Sequence, residues 1–206
     1  MHITVDAARY AAAVYDVPGQ AAWRVRVGGS YLLSLGGIAA GHGSMELLEA
    51  HALVVLEQPA LADVHLVLAG TDPEADPAYL AAFRARAAEL GTAPVVIGAV
   101  SRRDQPTLVA GASGFVHLPA TYDGCVLPLQ ALAAGVPVVA RDLPEVRRVL
   151  GDAVAYGDTV LSIADAVIDV LTDPPEPDEG IALAAAWDSE DRVVEQQPDR
   201  GDRRQQ

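Results

Sequence analysis

Short runs of Val, Leu and Ile alternate along the chain with longer stretches in which apolar positions recur every three or four residues. That alternation predicts repeated strand–helix units and a parallel sheet. YLLSLGG (31–37), VHLVLAG (64–70), APVVIGAV (93–100), GFVHLP (114–119), VPVVA (136–140) and AVAYG (153–157) read as six strands. Helices are expected between and after them over 44–58, 77–90, 104–112, about 127–134, 143–151 and 159–172. Ser44 is placed to cap the first, Pro106 falls in a first turn, and Gly91 and Gly135 stand where helices stop. The fold class that follows is α/β, a doubly wound parallel sheet. Ligands of such sheets bind outside the carboxyl ends of the strands.

The pattern weakens at both ends, which divides the chain into a lead-in (1–30), a sheet domain (31–172) and a closing part (173–206). DPPEPDEG (173–180) is an acidic, proline-rich break, IALAAAWDSEDRVVEQQ (181–197) reads as one more helix, and PDRGDRRQQ (198–206) as a polar tail. Half of the residues are apolar with few aromatics, which suits helices on a Val-rich sheet. A net charge of −14 argues against nucleic acid or an anionic membrane as partner, since both need clustered cations. No apolar run approaches the ~20 residues of a membrane span. A single cysteine, Cys125, suits a reducing interior, so a cytoplasmic protein is expected.

All fourteen cations are arginine, which removes every lysine-dependent mechanism, including the phosphate-loop lysine and the Schiff base. That narrows the reading of three loops on the carboxyl edge. GGIAAGHGS (36–44) has phosphate-loop glycines, but His42 stands at the lysine position and Gly43 at the hydroxyl position, so the loop reads as a flexible turn. SRRDQ (101–105) offers Arg102 and Arg103 as surface cations. TYDGCVLP (121–128) leads into a helix whose unpaired amides and dipole favour an anion; Gly124 lets the backbone come close, and Pro128 presets the first turn. His51, His65 and His117 lack metal spacing and read as packed histidines, Cys125 as apolar filler, and Trp23 and Trp187 as packing anchors.

The third loop and its neighbours resemble a known family. DGCVLPLQALAAGVPVVARD (123–142), LPEVRRVLGDAVAYGD (143–158), YLLSLGGIAAGHGSMELLEAHAL (31–53) and WDSEDRVVE (187–195) are similar to successive motifs of the group 1 retaining glycosyltransferases. The resemblance runs from about Val5 to Val194 and corresponds to the carboxyl-terminal, donor-binding half of their two-part GT-B fold, a Rossmann-like half-domain. TVDAARY (4–10) is similar to the stretch that joins the halves in that family.

What this implies is transfer of a sugar, with retention, from a nucleoside-diphosphate sugar to an acceptor. A partner chain carrying the acceptor-binding domain, or a homo-oligomer, would complete the enzyme. By the same resemblance, Asp123 meets the sugar and Gln130 the ribose, with Tyr122 taking the first place if the one-residue gap falls elsewhere. The backbone of Gly124, Cys125, Val126 and Leu127 holds the diphosphate, and Gly98 and Val100 flank the base. No cofactor beyond the donor and no metal is implied. The family's clamping Arg and Lys are replaced here by Gly37 and His42. Two lost charge-assisted hydrogen bonds would weaken donor binding by about 3–6 kcal/mol, and a helix N-terminus returns only ~0.3–2 kcal/mol. By topology Arg141, Arg102 or Arg103 would have to compensate. The alternative is a degenerate half-domain that acts as an interaction or weak nucleotide-sugar-binding module. A different doubly wound regulator, such as a receiver domain, is disfavoured by the missing lysine.

Overall fold

The computed structural model describes residues 5–70 and 76–189. Six short strands form one all-parallel sheet: β1 (Tyr31–Ser34), β2 (His65–Ala69), β3 (Val95–Ile97), β4 (Gly114–His117), β5 (Val138–Arg141) and β6 (Ala155–Gly157). Their order across the sheet is β3-β2-β1-β4-β5-β6. Chain progression therefore reverses between β1 and β4, where Leu32 pairs with Gly114 and Leu33 with Phe115. Neighbouring loops diverge at such a reversal and leave a crevice.

The strands are buried on both faces and split their side chains strictly by parity. Tyr31, Leu33, Val67, Ala69, Phe115, Val138 and Ala140 point into one core; Leu32, Leu66, Leu68, Val116 and Val139 point into the other. That period of two is what a pleated strand imposes, and helices on both sides cover what it exposes. On the second face lie α3 (Ser44–Glu57), α4 (Pro77–Glu89) and α8 (Val160–Thr172), with α3 packed on α8. Thr159 and Ser162 close α8 with a reciprocal capping box. On the first face lie α5 (Gln105–Ala110), α6 (Val126–Ala133), α7 (Pro144–Leu150) and α9 (Asp178–Ser189).

Two further helices, α1 (Ala7–Ala13) and α2 (Val17–Val27), occupy the lead-in and join the same face. Val5, Ala7, Tyr10 and Val27 are buried in its core, so this segment is part of the domain body. The carboxylate of Asp188, near the end of α9, accepts the amides of Asp6 and Ala7 at 3.0 Å each and so caps α1 from the far end of the chain. Trp187 packs against this core, as an anchor would. The last helix begins at Asp178, three residues before its expected start; the stretch 190–197 and the tail 198–206 lie outside the described residues.

The expected cap at Ser44 is not found. Gly43, in the left-handed region at φ 66°, precedes α3 instead, while the Ser44 hydroxyl exchanges hydrogen bonds with the backbone of Ala39 and meets Tyr79 Oη. The 36–44 loop is accordingly tied down rather than loose. Gly37 N–H donates to the Ala69 carbonyl, and Ala120 N–H donates to that of Gly41. No helix among the described residues is long and apolar enough to cross a membrane.

Candidate functional site

At the reversal point, beyond the carboxyl ends of β1 and β4, lies a recess of about 120 Å³. Ser34, Leu35, Gly36 and His42 line it from the β1 side; His117, Leu118, Pro119, Asp123 and Leu127 line it from the β4 and α6 side. The doubly wound topology predicts a site at this place, and two of the three loops singled out in the sequence meet there.

Asp123 is half-exposed and held by its neighbours. Its carboxylate accepts the Cys125 amide at 3.2 Å and the Nε2–H of His117, 3.1 Å from Oδ1 and 3.0 Å from Oδ2. Burial pushes the Asp123 carboxyl up, but the His117 bond and charge and the Cys125 amide outweigh it, and its pKa lies below the ordinary carboxylate value. Cys125 sits at φ 56°, a left-handed conformation unusual outside glycine, and its side chain is fully buried. Burial, followed by the Asp123 charge, pushes its thiol up to about 12, which leaves an inert, apolar-like group.

One amide at the mouth of α6 is thus occupied by the protein's own acid. Cys125 N–H is taken, whereas the amides of Gly124, Val126 and Leu127 meet no acceptor among the described residues. Gly124, at φ 95°, makes the turn that presents them.

The remaining sequence candidates fall in different places. His42 Nδ1 bonds the Gly36 carbonyl, which can only accept, so a neutral His42 ring carries its bare nitrogen at Nε2. An uncharged His42 is an acceptor there and offers nothing to a phosphate. Gly37 has its amide committed to Ala69. Arg141, proposed from topology as a compensating cation, is largely buried and engaged: its guanidinium donates to the Leu118 carbonyl and, at 3.3 Å, to Glu46. Glu46 in the first turn of α3 neutralises it. Arg102 and Arg103 are exposed, with the Arg102 carbonyl holding Arg9 of α1.

Gln130 faces away from the recess lining: its amide donates to the Val5 carbonyl at 3.0 Å, and its Oε1 is buried without a partner among the described residues. Gly98 and Val100 follow β3 at the edge of the sheet, two strands from the reversal, where the Gly98 carbonyl accepts Gly70 N–H. Tyr122 packs against the first core. Sequence reasoning missed His117 as a site residue. The available signal was its parity with Phe115, which puts it on the face that carries α6.

A model of the glycosyl transferases group 1 family matches residues 29–173. The chain belongs to that family. No curated protein sequence matches it at a significant level. Among solved structures, the chain is similar to the HepE protein of Anabaena in complex with UDP and glucose (16% identity, TM-score 0.66, 84% of this chain and 46% of that one). It is also similar to a trehalose 6-phosphate synthase of Burkholderia multivorans (15%, TM-score 0.74, 91% and 46%). A third match is the C-terminal domain of a group 1 glycosyl transferase, LpcC, of Francisella tularensis (17%, TM-score 0.67, 81% and 91%). At these identities the likeness shows the fold, that of a GT-B half-domain. This group 1 chain spans about half the length of the HepE and trehalose 6-phosphate synthase chains.

Proposed function

We propose that this group 1 chain is the donor-binding half of a retaining glycosyltransferase, holding a nucleoside-diphosphate sugar across the β1–β4 reversal and working with an acceptor-binding partner half. The observation that carries this reading is the mouth of α6 at the rim of the recess, where Asp123 and Leu127 line the cavity and the amides of Gly124, Val126 and Leu127 lack partners among the described residues. Negative oxygens are at home at those amides, because the helix dipole and the unpaired N–H groups add in the same direction. Asp123 accepts a sugar hydroxyl on the oxygen that Cys125 leaves free. The UDP and glucose in complex with HepE agree with this ligand class.

Binding by this half alone is weak in the proposal. A helix N-terminus supplies only ~0.3–2 kcal/mol, Arg141 is already neutralised, and Nδ1 of His42 is committed to the Gly36 carbonyl. The recess of about 120 Å³ is also smaller than the ~300 Å³ at which ordinary ligand pockets begin, as expected where a second half forms the other wall. Calorimetric titration of UDP-glucose, GDP-mannose and other common donors tests this, with a Kd between about 0.1 and 10 mM expected for one of them. Affinity weaker than about 10 mM for all would leave the second reading, a non-catalytic half-domain, which the Arg141–Glu46 pairing already favours.

A further inference from the structure

The residue that this geometry singles out beyond the family motif is His117. Being the last residue of β4 and two positions from Phe115, it shares that residue's face of the sheet. It is buried, 7% exposed, and the Phe115 ring lies nearly parallel to it with centroids 6.5 Å apart. A buried imidazole N–H needs an acceptor, and the Asp123 carboxylate six residues later supplies both of its oxygens to Nε2.

We propose that His117 is a positioning residue for donor recognition: with the Cys125 amide it locks the rotation of the Asp123 carboxylate, leaving one lone pair of Oδ2 aimed at a ligand hydroxyl. This rests on the donor-binding reading above. A carboxylate offers about four lone-pair sites. Cys125 and His117 engage Oδ1, and His117 also reaches Oδ2, so rotation about the bond to the carboxyl carbon breaks every one of these contacts. The acceptor is therefore preorganised before any ligand arrives, and no ordering remains to be done on binding.

The test compares wild type, His117→Leu and His117→Gln in the full chain. Leu removes the donor at similar bulk, whereas Gln places an N–H near the position of Nε2. The first readout needs no ligand: the titration midpoint of the Asp123 carboxyl, followed by carbon NMR, lies below the ordinary value in wild type, rises in the Leu variant and falls back in the Gln variant. His42, Tyr122 and Cys125, the other titratable groups around the recess and the mouth of α6, are unchanged in all three proteins. The second readout is calorimetric affinity for whichever nucleotide sugar wild type binds, with UDP or GDP alone as control. Loss of at least about tenfold in the Leu variant is expected for the nucleotide sugar, with recovery to within about threefold in Gln and little change for the nucleotide alone.

Equal donor affinity in the Leu variant, or equal losses in Leu and Gln at matched melting temperature, overturns the positioning role. A wild type that binds no nucleotide sugar overturns the donor-binding reading instead, and the NMR midpoints then still report whether His117 holds Asp123.

Discussion

An acid at the start of a helix has two uses, and in Asp123 they compete. The loop TYDGCVLP suggests a free carboxylate, whereas in the structure Asp123 also holds the Cys125 amide and the His117 ring. Asp123→Ala should therefore abolish donor binding and also cost about 1–2 kcal/mol of stability, because the Cys125 amide and the His117 ring lose their acceptor. Calorimetry and a melting curve check both parts. Loss of stability with unchanged binding would make the acid purely structural. His51 supplies a second test at this scale. Its Nε2–H bonds the Val64 carbonyl at 2.9 Å while Nδ1 is buried without a partner among the described residues. Burial lowers its pKa, the Val64 bond opposes this, and the His65 charge adds to the lowering. The unfolded chain takes up a proton near pH ~6.5 and the folded chain only below that. Stability should thus fall as pH drops below about 7 and level off once the folded-state pKa is passed. The melting temperature of His51→Gln should depend less on pH between 7.5 and 5.5 than that of wild type.

Segments are where the sequence was most legible. The six strands and the helices of 31–172 were readable because each carries a period of two or about 3.6 bounded by Gly or Pro, and the structure differs mainly in shorter strands. β1, for example, ends at Ser34 because the chain then bends into the loop that carries the site. The two lead-in helices were not readable: α2 buries only Val27 and shows no apolar stripe, so Asp16 as cap and Pro18 in the first turn were its main signals. The loop 36–44 was misread as flexible because its glycines look permissive. Gly43 is obligatory for a different reason: a Cβ there would lie 2.6 Å from the Leu118 carbonyl oxygen and 2.7 Å from Arg141, at φ +66°. Gly43→Ala should cost about 2–5 kcal/mol, from the left-handed backbone and the clash together, with a correspondingly lower denaturant midpoint. Little change would mean that the Arg141 contact is dispensable. The pairing of Arg141 with Glu46 spans ninety-five positions, and no local pattern announces such a partner.

The molecule as a whole has the architecture of a GT-B half-domain, and its group 1 membership was legible because the motifs that carry it cover most of the domain. On the reading proposed above, turnover needs both halves. Transfer between two substrates draws on holding both at once, and the recess of about 120 Å³ has room for only part of one donor. The chain alone should therefore release no nucleotide from a donor sugar above the uncatalysed rate, and addition of a matching acceptor half should start release; a coupled nucleotide-release assay distinguishes these outcomes. Such a half would meet a body whose first and last described helices are clasped together. Asp188 grips the start of α1, and both α1 and α9 rest on α6. The first and last described helices are thus joined against the flank of the same rod. A pull on either end therefore bears on α6, the helix whose first turn borders the recess.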